Sequence, residues 1–417
     1  MRWLAASLLL ASSCLCSVAE TKSALSGKVL DADGKPMVHA TVMVYHAGVK
    51  VGYSTYCPSC YRDCGKRVTT DRSGDFNLEG LAPDPWFTLL VVQEGYTPVI
   101  SEKLDPDKTH GWETKLVRRP ELTANASVAR GRVTDSAGNP VRDAIVEPIG
   151  LNVGEGSTYG TIAGLDPLAV TNANGEFQIL YLGNSPAMLM EIEGRGYAPK
   201  FVKLATGQSR TGVVVSEGAT IRGILTANGK PVDNAEVGLF PKNRGMYAGD
   251  LVILGDPYEE ERVGTAADGS FLISNVPEPV SWMLYGKMSS MPKGEGTEPV
   301  EIKTDKDGQF LDKVRLAAGP AHTVTGRVSL SDGRAVAEGM RVTLGANNLW
   351  DTQTVELSGD GRFEIGNVPD GDYCITPSVR GYTAREVPNS NCALPVKVTG
   401  GDTRGLAITL YPNKPRP

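Results

Sequence analysis

Three cysteines within eight residues, Cys57, Cys60 and Cys64, are the densest group of reactive side chains in this chain. Thiolates at that spacing can join an imidazole such as His46 in a tetrahedral Cys₃His zinc site. In an oxidising compartment the same residues instead form a disulfide that staples their loop, with the third cysteine free or paired with another chain. The staple is the expected state, so no metal is assigned. A redox role for the Cys57–Cys60 pair would need a strand–helix–strand context that is missing. Haem attachment fails because residue 61 is Tyr rather than His.

A second constellation, His110-Gly111-Trp112-Glu113, has the letters of a His-x-x-Glu zinc pair. It falls where a unit's last strand is expected, and such a pair still needs a further ligand and a general base. The chain has four histidines, His39, His46, His110 and His322, and the only later one lies far downstream. No Gly-x-Ser-x-Gly elbow and no phosphate-cradling loop occur. Asp and Glu are numerous but form no pair whose spacing stands apart from solvated turns. The expectation is therefore a protein with no catalytic residues, no metal and no cofactor.

The elements that carry these residues repeat four times. Each copy opens on Gly (Gly27-Lys28-Val29, Gly131-Arg132-Val133, Gly223-Ile224-Leu225, Gly326-Arg327-Val328) and proceeds through a tight turn. Those turns are Asp33-Gly34-Lys35-Pro36, Gly138-Asn139-Pro140, Gly229-Lys230-Pro231 and Asp332-Gly333-Arg334. Each copy later starts a strand with Gly-x-Phe, at Phe76, Phe177, Phe271 and Phe363. A unit of roughly 100 residues is the size of a free-standing domain rather than of a solenoid turn. No sustained helical period appears, whereas short β-rich runs such as Thr41-Val42-Met43-Val44-Tyr45 sit between Gly and Pro punctuation. Such runs at regular spacing read as β-sandwiches. The four Phe side chains are expected to plug the cores.

This syntax resembles the carboxypeptidase regulatory-like domain, most closely in the first and fourth copies. The resemblance implies a transthyretin- or prealbumin-like sandwich of about seven strands, related to starch-binding-like modules and not itself catalytic. The shared residues are turns and core, so the likeness speaks for fold more than for function. The expected architecture is all-β, with four tandem Ig-like or prealbumin-like β-sandwich domains in an elongated array. Their expected bounds are residues 22–119, 126–216, 217–319 and 320–412.

Residues 1–19 read as a secretory signal: Arg2, an apolar run from Trp3, and Ser17-Val18-Ala19 before Glu20. Losing Arg2, the only charged residue of that segment, takes the formal charge from −6 to −7. That acidity argues against nucleic acid and anionic lipid as partners, and no membrane insertion is expected of the mature chain. Seven cysteines become five once Cys14 and Cys16 leave with the signal. Cys374 and Cys392 flank one strand and its return in the fourth copy, and a disulfide between them is expected outside the cytoplasm.

The copies differ most in insertions at residues 46–67, 148–168, 241–262 and 345–353. These carry Tyr53, Tyr56, Tyr61, Tyr159, Tyr247, Tyr258 and Trp350. Exposed rings on loops of a rigid scaffold can stack on sugars or anchor protein partners. They can equally pack their own loops or seal contacts between units. Trp86, Trp112 and Trp282 lie in strand-like runs and are expected in cores. The leading expectation is a secreted or periplasmic protein that binds a repetitive cell-envelope glycan multivalently through these loops. The alternative is a structural spacer or protein-docking scaffold at the cell surface.

Overall fold

A computed structural model describes residues 22–56, 61, 63–121, 126–153, 156–242, 261–385, 392 and 394–413. The described residues form an all-β protein whose sheets pair two by two around four hydrophobic clusters. In every unit one sheet is centred on the opening strand, at Ser23–Asp31, Ser127–Thr134, Ala219–Ala227 or His322–Leu330. That strand pairs antiparallel with the Phe-bearing strand, at Asp75–Leu81, Glu176–Tyr181, Ser270–Val276 or Arg362–Val368. On its other side it pairs parallel with the unit's closing strand, at Trp112–Leu116, Thr211–Val214, Phe310–Pro320 or Thr403–Pro412. The second sheet is built on an antiparallel pair, Thr41–Val49 with Pro85–Val92 in the first unit, and its counterparts follow the same order.

The repeated letters have one physical explanation each. The opening Gly stands directly across from the Phe in all four units: Gly27 opposite Phe76, Gly131 opposite Phe177, Gly223 opposite Phe271 and Gly326 opposite Phe363. The rings are 5, 7, 3 and 5% exposed, as core plugs should be. Each lies over its glycine: a Cβ at Gly27 would meet a ring carbon at 2.9 Å and one at Gly326 at 2.6 Å, with the other two closer still. The Gly before each Phe has φ between 72° and 82°, a left-handed conformation that L side chains avoid. A Cβ at Gly74 or Gly269 would also meet a carbonyl oxygen of the opening strand at 2.5 Å.

The Thr six residues before the Phe is buried and bridges a turn. The Thr70 hydroxyl donates to the Met37 carbonyl and accepts from the Ala40 amide, and Thr171 and Thr265 repeat both bonds. The fourth unit replaces this Thr with the buried, apolar Leu357, which keeps only the backbone bond to Met340. The next residue, Asp71 or Asn172, accepts the amides two and four positions on, closing the loop into the Phe strand.

Two expectations change. The insertions of the first two units begin as strand, because Thr41–Val49 and Ile145–Val153 continue past His46 and Pro148. No linker separates the third and fourth units: the expected boundary after residue 319 falls at the end of the strand Phe310–Pro320, and the next strand starts at His322. The Cys374–Cys392 disulfide is present, with Cα atoms 5.6 Å apart.

Gly131→Ala should destabilise the second unit by about 1–3 kcal/mol, the usual cost of overpacking. Gly212→Ala, where nothing lies within 4 Å of the added Cβ, should leave it unchanged. Hydrogen exchange of the strand amides around Ile179 separates the two. Replacing Cys374 and Cys392 with Ala should cost the fourth unit about 3 kcal/mol in the chain-entropy account of loop closure, read as an earlier urea transition confined to that unit.

Candidate functional site: the joints between units

The second sheet of the first unit is buried on both faces around Val42–Val44 and Leu89–Val91. Val42 and Val44 enter the unit's own core, while Met43 between them turns outward, as does Leu90 between Leu89 and Val91. Met43 and Leu90 meet Ile145 and Leu168 of the second unit in a separate buried cluster, with Tyr45, Val92 and Val170 at its edge. Around it, Arg67 Nη1 lies 2.6 Å from Asp143 Oδ2 and Arg119 Nη1 lies 3.6 Å from Asp166 Oδ2. Burial pushes the Asp166 carboxyl up, against the pull of the Leu180 amide and Arg119. Burial and the neighbouring Glu147 raise the Tyr45 phenol well above its ordinary value, so it stays neutral.

The joint between the third and fourth units is built differently. A 3-10 turn, Met288–Ser290, projects from the third unit, and the Met288 side chain is counted among the fourth unit's core residues. The Met288 amide donates to the Asp351 carboxylate at 3.2 and 3.3 Å, and Lys287 Nζ donates to the Trp350 carbonyl at 3.0 Å. Asn367 closes the joint from the other side. Its Nδ2 donates to the Met291 carbonyl at 2.9 Å and the Met288 carbonyl at 3.3 Å, and its Oδ1 accepts from the Gly294 amide at 2.7 Å. Asn367 has φ 57° at a bulge ending the Phe strand; Asn275, its counterpart in the third unit, has the same φ and donates to the Glu217 carbonyl at 2.8 Å. The bulge asparagine of the fourth unit thus ties it to the third, while that of the third unit holds the start of its own segment.

The loop following Val49 in the first unit touches the third. The Tyr53 amide donates to Asn234 Oδ1 at 3.2 Å, and the Ser54 carbonyl accepts from the Gly264 amide. Gly264 lies so close to Tyr53 that an added Cβ would overlap it at 2.8 Å. An array in which each unit touches only its sequence neighbours is therefore broken at this point.

Among the described residues the insertion aromatics have different surroundings. Tyr53 is half-buried against the third unit, and Trp350 stands with its ring 6.0 Å from the buried Phe240 ring. Tyr61 packs within its own unit, donating to the Val44 carbonyl at 3.1 Å and stacking on His46 at 5.7 Å. Tyr56 and Tyr159 are exposed, and Tyr247 and Tyr258 lie outside the described residues. Trp112 and Trp282 are core residues as expected, but Trp86 is not. Its ring is half-buried on the outer face, stacked on His46 at 5.9 Å with Lys103 Nζ 4.1 Å from its centre. Strand parity around the buried Phe87 could have revealed this.

Cys57 and Cys60 lie outside the described residues, while Cys64 carries a free thiol whose pKa burial pushes up. Of the His110 motif, Trp112 points into the core, with His110 and Glu113 exposed. Among the described residues no group of three or more His, Cys, Asp or Glu side chains gathers at metal-binding distance.

A sequence model of the carboxypeptidase regulatory-like domain matches residues 24–116. The first unit is thus similar to that domain. The other three units share its strand order and its Gly–Phe register, although the match itself is confined to the first. No characterised protein matches the chain by sequence. Among solved structures it is similar to the Bacillus anthracis TIE protein (10% identity, 94% of this chain and 74% of that one, TM-score 0.19). It is also similar to the shaft pilin SpaA of Lactobacillus rhamnosus GG (10% identity, 48% and 100%, TM-score 0.19). A Streptococcal ancillary pilin aligns at 13% identity over 72% and 100%, with a TM-score of 0.22. Likeness at that level speaks for neither function nor assembly.

Asn367→Gly keeps the left-handed backbone but removes three hydrogen bonds at the joint. Hydrogen exchange at the Gly294 amide should quicken at least tenfold, since net worths of about 1 kcal/mol per bond are typical, while the strand amides of both flanking units stay protected.

Proposed function

We propose that this chain is a non-catalytic scaffold acting outside the cytoplasm, in which four β-sandwich modules are held at fixed spacing to dock surface proteins. The observation that carries this reading is the construction of the joints. Apolar side chains that an isolated sandwich would leave exposed are buried between units at Met43, Leu90, Ile145 and Met288. Domains joined only by short linkers move freely unless the interface is large and apolar. Here the sandwich faces and Asn367 supply the interface, and a spacer needs a defined length.

Compartment rests on the signal-like residues 1–19 and on the Cys374–Cys392 bond, which persists in oxidising surroundings. No helix among the described residues is long and apolar enough to cross a membrane. Multivalent glycan binding through the insertion loops has less support. Tyr53 and Tyr61 are engaged at a joint or within their unit, and the exposed Tyr56, Tyr159 and Trp350 are spread over three different units.

Small-angle scattering of the chain from residue 20 onward tests the scaffold reading. A single, concentration-independent distance distribution is expected, and Met288→Asp should broaden and lengthen it while circular dichroism stays unchanged. A wild-type chain that already scatters as freely jointed beads would remove the basis for a fixed spacer.

A further inference from the structure

The first and second units enclose a cleft of about 1060 Å³ that a spacer does not require. Five arginines line it: Arg67 and Arg119 from the first unit, and Arg130, Arg142 and Arg210 from the second. The carboxylates on its walls are three, Glu94, Asp143 and Glu176. In a chain with a formal charge of −6, this is a local reversal of sign.

The guanidinium groups are held in place but not used up. Arg67 and Arg142 share one partner, with Arg67 Nη1 2.6 Å and Arg142 Nε 3.5 Å from the two Asp143 oxygens. Arg210 pairs with Glu176, and Arg130 donates to the Gly207 carbonyl. Arg119 reaches Asp166 through Nη1, yet its Nε is buried and has no hydrogen-bond partner among the described residues. Each guanidinium carries five N–H donors, so a single contact leaves most of the fork free. The side chains of Arg142 and Arg210 are 54 and 60% exposed.

We propose that this cleft binds a carboxylate-bearing glycan, a segment of a uronic-acid polymer. Planar guanidinium forks match carboxylates in bidentate geometry. The acids between them favour a ligand that carries hydroxyls beside its charges, because Asp143, Glu94 and Glu176 can accept hydrogen bonds from sugar hydroxyls. A DNA strand has no hydroxyl within its backbone to offer those same carboxylates. The site needs both units, and none of the insertion aromatics lines it.

Calorimetric titration of the whole chain from residue 20 onward tests this at physiological salt. The probes are hexagalacturonate, its methyl ester, inorganic phosphate and a single-stranded DNA hexamer. Saturable binding of hexagalacturonate but not of the ester is expected. Arg130→Gln and Arg210→Gln should each weaken it about tenfold or more, the scale of a charge-assisted hydrogen bond, with unchanged circular dichroism. Arg210→Lys should recover only part of the loss, since the charge returns without the fork. Equal binding of the ester, indifference to both glutamine variants, or absence of any binding would overturn the proposal. Displacement of the glycan by phosphate or the DNA hexamer at lower concentration would overturn it in favour of phosphate recognition.

Discussion

A phenylalanine ring laid across a glycine in the neighbouring strand is the contact on which each unit depends. The missing side chain opens a slot in the sheet's inner face, and the ring fills it. Glycine inside a strand ordinarily weakens it, through lost packing and greater freedom in the unfolded chain. Here the cross-strand ring supplies the packing. The arrangement also fixes register, because sliding either strand by one residue would put a Cβ under the ring and turn the Phe to the opposite face. The turn glycine two residues before each Phe adds a second constraint, as its backbone lies against a carbonyl of the opening strand.

The fold was readable because these constraints act within a unit and are written in residue types that have few substitutes. Gly opposite Phe, Thr under the turn and Gly at positive φ recur since each answers a local steric demand. Cys374 and Cys392 were readable for the same reason, lying close in sequence across one strand return. The joints were not readable. Met43, Leu90 and Ile145 look like ordinary members of apolar strands, and only three consecutive buried positions show that both faces are covered. Asn367 lies in an Asn-Val-Pro run that recurs at Asn275, a repeat that strand periodicity does not register.

The aromatic loops show the converse. Their composition suggested a binding surface, but Tyr53 and Trp350 border other units of the same chain. Composition reports that a ring seeks a partner without telling whether the partner belongs to the same molecule. Trp86 illustrates a simpler oversight: strand periodicity sends it to the face opposite Phe87, onto His46.

The contact of the Tyr53 loop with Asn234 and Gly264 alters how a pull on the chain would be shared. Beads strung in series all bear the full tension. With the first unit fastened to the third as well as to the second, tension entering at one end has two routes through that part of the molecule. The second unit lies on one of them, in parallel with the loop. Its strands are therefore shielded until the loop lets go, and the chain then gains length in two stages rather than one.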